Sequence, residues 1–126
     1  MTIYHRRQLV LTLADDEELN QTLFVRSRTT SALTGLVEYS SDKFLLADTA
    51  GEVPIDMGGV ATARLVYVEA DGACDLKLDG GQAIELRPIS DEVAIMMIEQ
   101  VEVAAITVQN PTPSSSITVT VVVAGD

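Results

Sequence analysis

The sequence predicts an all-β chain, an antiparallel β-sandwich of jelly-roll-like kind with eight or nine short strands. Three observations predict it. Residues Ala63 to Arg87 read as three runs, Ala63 to Glu69, Cys74 to Asp79 and Ala83 to Arg87, parted by Asp71-Gly72 and Gly80-Gly81. Asp-Gly and Gly-Gly between alternating runs are strong hairpin signals, because a two-residue turn needs positive φ. In the last run Ile117, Val119, Val121 and Val123 share one face, and Thr118, Thr120, Val122 and Ala124 the other. A period of two marks a strand half buried against a core. Turn signals recur along the whole chain at the short spacing that a sandwich or small barrel generates. A parallel α/β fold would need crossover helices, and only one segment invites a helical reading.

Taken in order, residues 1–8 form an arm, with Tyr4-His5-Arg6-Arg7 as a basic cluster on an acidic chain. A single sandwich domain is expected over residues 9–126. Leu9 to Leu13 is a strand-like run. Asp15-Asp16-Glu17-Glu18 reads as a solvated loop or a short helical turn; a calcium loop would space its oxygens around a turn glycine, which this stretch lacks. Leu19 to Arg28 alternates again, with Arg26 and Arg28 on its wet face. Leu33 to Tyr39 and Phe44 to Ala47 are two runs parted by a turn at Ser40-Ser41-Asp42-Lys43. Thr49 to Gly59, with Gly51, Pro54 and Gly58-Gly59, reads as a loop crossing between layers. Gly58-Gly59 has neither the GK[ST] ending nor the following helix of a phosphate loop, and so leads into a strand.

Beyond the central runs, Glu92 to Val108 admits two readings. Ala94, Met97, Ile98, Val101 and Ala105 fit a helical stripe that Ser90 or Asp91 would cap. Val103 to Val108 is rich in β-branched residues, and Glu99-Gln100 is a polar break. Two strands with a turn near Glu99 are favoured. Asn110 to Ser116 is a turn, since Pro111 pushes Asn110 away from helix geometry.

Composition excludes several classes. A formal net charge of −11 over 126 residues opposes nucleic-acid binding and anionic membrane surfaces, both of which recruit Lys and Arg. No apolar stretch approaches the length that spans a bilayer. The arginines at Arg6 and Arg7 precede no signal-type apolar segment, so synthesis in the cytoplasm is expected. The single cysteine, Cys74, allows no internal disulfide and reads as a small buried hydrophobe.

Chemistry is sparse. His5, the one histidine, lies in the arm without an orienting acid or a nucleophile motif. Asp71, Asp75 and Asp79 recur every four residues, a spacing that sets successive carboxylates about 13 Å apart along a strand, too far for an acid–base pair. No catalytic, metal or cofactor residue is nominated.

The stretches Phe44 to Gly51, Arg64 to Gly72, Lys77 to Gly81 and Ala105 to Pro111, with a Thr/Val strand ending at Ala124-Gly125, resemble small tailed-bacteriophage virion proteins. These are β-sandwich accessory subunits: capsid cement or decoration proteins and some tail or baseplate components. The resemblance spans roughly the last two thirds of the chain and is a pattern of strands and turns. It implies a non-enzymatic virion protein that binds a major capsid or tail protein in many copies, without cofactor. The candidate contact residues are Tyr4, His5, Arg6 and Arg7 of the arm, expected to dock on a neighbouring subunit, and Val121, Val122 and Val123. A bare valine-rich strand would recruit other chains, so it is expected to be covered in a full sheet or by another copy, as in a trimer or other homo-oligomer. The competing class is a carbohydrate-binding sandwich, for which Tyr39, Tyr67 and Phe44 are the available rings.

Overall fold

The structure, a computed structural model, describes residues 7–14, 22–30 and 36–126. Among them are ten strands and no α-helix: β1 (Arg7–Ala14), β2 (Thr22–Thr30), β3 (Glu38–Ala47), β4 (Val53–Pro54), β5 (Ala63–Ala70), β6 (Cys74–Leu78), β7 (Ile84–Leu86), β8 (Ala94–Val103), β9 (Ile106–Gln109) and β10 (Ser116–Gly125). The chain divides into two compact units, one of Tyr4–Thr34 and one containing Gly35–Asp126. In the first, β1 and β2 form a two-stranded antiparallel sheet of their own, with Arg7 opposite Thr30 and Leu13 opposite Phe24. The first strand of the second unit begins at Glu38.

The second unit is an eight-stranded β-sandwich. One sheet has the order β3-β10-β5-β8, the other β4-β9-β6-β7, and every described pairing is antiparallel. Strands pair as nested partners: β3 with β10, β4 with β9, β5 with β8, β6 with β7. A single long hairpin, bent so that successive strand pairs fall in alternate sheets, has this connectivity, and it is the jelly roll.

Burial follows the period of two. On β10, Ile117, Val119, Val121 and Val123 enter the core, where they meet Val66, Val68 and Ala70 of β5 and Leu46 of β3. The facing sheet contributes Cys74, Leu76, Leu86, Ile106 and Val108. Each such side chain withdrawn from water contributes about 1.5–3 kcal/mol, which makes this cluster the main source of stability. Asn110 is the one buried polar residue among the described residues. Its Nδ2 donates to the carbonyls of Leu46 and Ser115, both at 3.1 Å, and its Oδ1 accepts the Thr112 N–H at 3.0 Å. It thereby fixes the turn before β10 to the end of β3.

Three sequence expectations are corrected. Asp71-Gly72 does not close a hairpin: β5 and β6 lie in different sheets, and the turn carries the chain across the sandwich. Asp71 stays tied to β10, its carboxylate accepting the Thr118 N–H at 2.7 Å, and Gly72 passes beneath Ile117 where a Cβ would overlap the Ile117 Cγ2. The true hairpin is β6–β7, whose turn has positive φ at both Asp79 and Gly80 and a Gly81 N–H bond to the Leu78 carbonyl at 3.0 Å. Secondly, Ser40-Ser41-Asp42-Lys43 is not a turn. It runs through the middle of β3, paired with Lys43 opposite Thr120 and Ser40 opposite Val123. A sheet edge tolerates polar residues on both faces, so composition alone resembled a turn. Thirdly, the break near Glu99 is a bulge. Gln100 has φ 57°, and the register against β5 shifts there while β8 continues to Val103. The residues from 92 to 108 do form two strands, but the break comes at Ala104-Ala105. Thr49 to Gly59 does cross between the sheets, leaving β3 and entering β4.

Candidate functional site

The acidic residues in the strand runs are committed to structure. Besides Asp71, the Asp79 Oδ1 accepts the N–H groups of Ala104 and Ala105 at 2.8 and 2.9 Å, pinning the passage from β8 to β9. Asp75 Oδ1 accepts a bond from Arg87 Nη2 at 2.6 Å. That bond, first among several causes, raises the Arg87 guanidinium above its ordinary value. Lys77 pairs with Glu52, and Arg64 with Glu102 at 3.1 Å. The three aspartates thus serve three separate parts of the fold.

Nucleophiles fare no better as reactive groups. Cys74 is fully buried, and burial pushes its thiol up to about 11 against the pull of a backbone bond at Gln109, so it stays protonated near neutrality. The Tyr67 hydroxyl is likewise raised, first by burial and then by the charge and hydrogen bond of Glu69. Among the described residues no three His, Cys, Asp or Glu side chains come together as a metal site. Two shallow clefts lie on the sheet surfaces. One, of about 330 Å³, is lined by Lys43, Glu69, Asp71, Val93, Thr118 and Thr120. The other, of about 210 Å³, includes Glu52, Asp75, Lys77 and Gln109. Both mix opposite charges, and neither holds an aromatic ring for stacking on a sugar.

The distinctive surface is the outer face of the β3-β10-β5-β8 sheet together with its β8 edge. Register places Tyr67 between Val122 and Met97, and Glu69 between Thr120 and Ile95. Ile95 is 56% exposed, Met97 38% and Tyr39, on the opposite edge, 59%. Large apolar side chains left in water across one face mark a contact surface. The sequence contained the signal: Val93 to Ile98 is apolar at every position, so a strand there is apolar on both faces whichever one it buries.

Of the residues nominated from sequence, Val121 and Val123 are buried within the chain and Val122 is half-buried on the outer face. β10 lies between β3 and β5, so the full-sheet alternative holds for the valine-rich strand, and no second copy is needed to cover it. Tyr4, His5 and Arg6 lie outside the described residues, as do Asp15 to Glu18; Arg7 opens β1.

No helix among the described residues is long and apolar enough to cross a membrane. In comparisons with known proteins, no family model, no curated protein and no solved structure matches the chain.

Proposed function

We propose that this chain is a non-enzymatic structural subunit, an accessory virion protein of the capsid cement or decoration kind that binds and stabilises a protein lattice as a homo-oligomer. The observation that carries this reading is the exposed apolar face bearing Tyr39, Ile95 and Met97. Such a face suits docking on another protein, where aromatic and Met side chains are enriched. Architecture lends support: eight-stranded jelly rolls recur among viral capsid and lectin domains. Since fold alone does not assign function, the lectin alternative is weighed on its site. The outer face, on which Ile95 and Met97 are exposed, favours the structural reading over a carbohydrate-binding one. A rigid core and high negative charge suit a subunit that must remain dispersed before assembly. The partner in this reading is a major capsid or tail protein, with the tail or baseplate as the alternative home.

Immunogold labelling of purified particles with antibodies against the chain tests the proposal. Regular labelling of heads places it as cement, and labelling of tails moves it to the alternative. Particles free of the chain, with all of it recovered in the soluble fraction, overturn the reading.

A further inference from the structure

We propose that β8 is the self-association edge of this protein: two copies join β8 to β8, antiparallel about a twofold axis, into one continuous eight-stranded sheet. The inference names the interface for the homo-oligomer proposed above and rests on that reading in supposing that copies meet at all.

The edges of the two sheets differ in how they are guarded. β4 is two residues long and contains Pro54, and β7 is three residues long. β3 is ten residues long, but Asp42 lies opposite the core residue Val121 and so points inward, and Lys43 points outward beside it. Short length, proline and inward charge are the devices by which proteins prevent edge pairing. β8 is also ten residues long, and its bulge and acids are confined to the half from Glu99 onward. From Val93 to Ile98 it carries no charge, proline or bulge. The core is also open beneath it. Ala94, Met96 and Ile98 lie opposite Ala70, Val68 and Val66, which are 1%, 0% and 0% exposed, yet themselves remain only half-buried. The short β7 in the facing sheet leaves that flank partly uncovered.

The register that pairs most of the uncharged run from Val93 to Ile98 with itself is centred on Met96. A twofold axis normal to the sheet keeps outer faces together only if like positions pair, which excludes every odd shift. Centred on Met96, the pairing sets Ile95 against Met97 on the outer face and Ala94 against Ile98 on the inner. Glu99 then falls opposite Val93, and Glu92 opposite Gln100, so no acid meets an acid. Moving the centre to Ile95 would set Asp91 against Glu99, and moving it to Met97 would draw the Gln100 bulge into the paired segment, opposite Ala94. Like charges directly opposite are destabilising and a bulge breaks the ladder, so both neighbouring registers are disfavoured. The −11 charge of each copy opposes association at long range, and salt screens it.

Sedimentation velocity on the full chain across the micromolar range, at low and high salt, tests the inference. The wild type is expected to sediment as a dimer, more tightly at high salt. Met97→Glu abolishes the dimer and Ile95→Lys weakens it. An equimolar mixture of the two variants restores it, because the introduced lysine and glutamate face each other across one row while the other row keeps its native pair. Both positions are exposed, so the melting temperature reports an intact fold in each variant. A wild type that stays monomeric throughout overturns the inference and the homo-oligomer with it. An oligomer indifferent to both variants overturns only this interface, and variants that fail to recover on mixing overturn the register.

Discussion

Gly72 shows how a single residue sets the path of the chain. The strand β5 ends against β10, and the next residues must descend to the other sheet directly beneath Ile117. Gly72→Ala puts a methyl into the space held by the Ile117 side chain, and overpacking of this kind costs about 1–3 kcal/mol. The expected result is a lower midpoint in urea with an unchanged slope. Cys74 gives a pH dependence. Its thiol is held protonated in the fold to about 11, against 9.0 for an unperturbed group. Below 9.0 both states bind the proton and stability is unaffected; between there and about 11 the unfolded chain alone releases it, so stability falls as pH rises. One such group contributes a slope of at most about 1.4 kcal/mol per pH unit. Tyr67 is raised too and adds in the same sense. Denaturant titrations of the wild type and Cys74→Ala across this window should show the steeper decline in the wild type.

At the scale of elements, the edge strands explain why polarity misled the reading of residues 40–43. A central strand must hide one face completely, and β10 does so with four branched apolar residues in alternation. β3 needs cover only on the half where Leu46 and Phe44 meet the core, and its other half uses Ser40 and Asp42 at inward positions. Asp42 is therefore a guard against edge pairing more than a contributor to stability. Asp42→Val is expected to leave the thermal midpoint nearly unchanged or higher while creating a second adhesive edge. Light scattering at increasing concentration should then show species larger than those of the wild type; identical scattering would remove this role from Asp42.

For the molecule as a whole, charge is divided unevenly between the two units. Arg6, Arg7, Arg26 and Arg28 balance Asp15, Asp16, Glu17 and Glu18 within residues 4–34, leaving the entire −11 on residues 35–126. The sandwich also holds a core cluster drawn from both of its sheets. A two-stranded hairpin alone is marginal in water, whereas eight strands around a shared core are self-sufficient. Residues 35–126 expressed alone are thus expected to unfold in one cooperative transition with a β-type circular dichroism spectrum. A fragment without such a transition would show that the core is not autonomous. Its solubility should fall near the acidic isoelectric point, where the repulsion that keeps copies apart is lost.

Sequence by itself determined the strands that bury a face, because alternation is local: Cys74 and Leu76, or the four apolar residues of β10, can face a core only in one way. It also determined the acidic surface and the turn positions at Asp71, Gly80 and Asn110. What the tertiary structure decided is partnership. A turn residue records that the chain bends, and both a hairpin and a crossing between sheets need a bend, so Asp71-Gly72 looked like the former and is the latter. The valines of β10 and the run Val93 to Ile98 are similarly apolar as strings. One became the middle of a sheet and the other its open edge, since that choice rests on which distant strands satisfy the backbone hydrogen bonds on each side, and residue type carries no record of it.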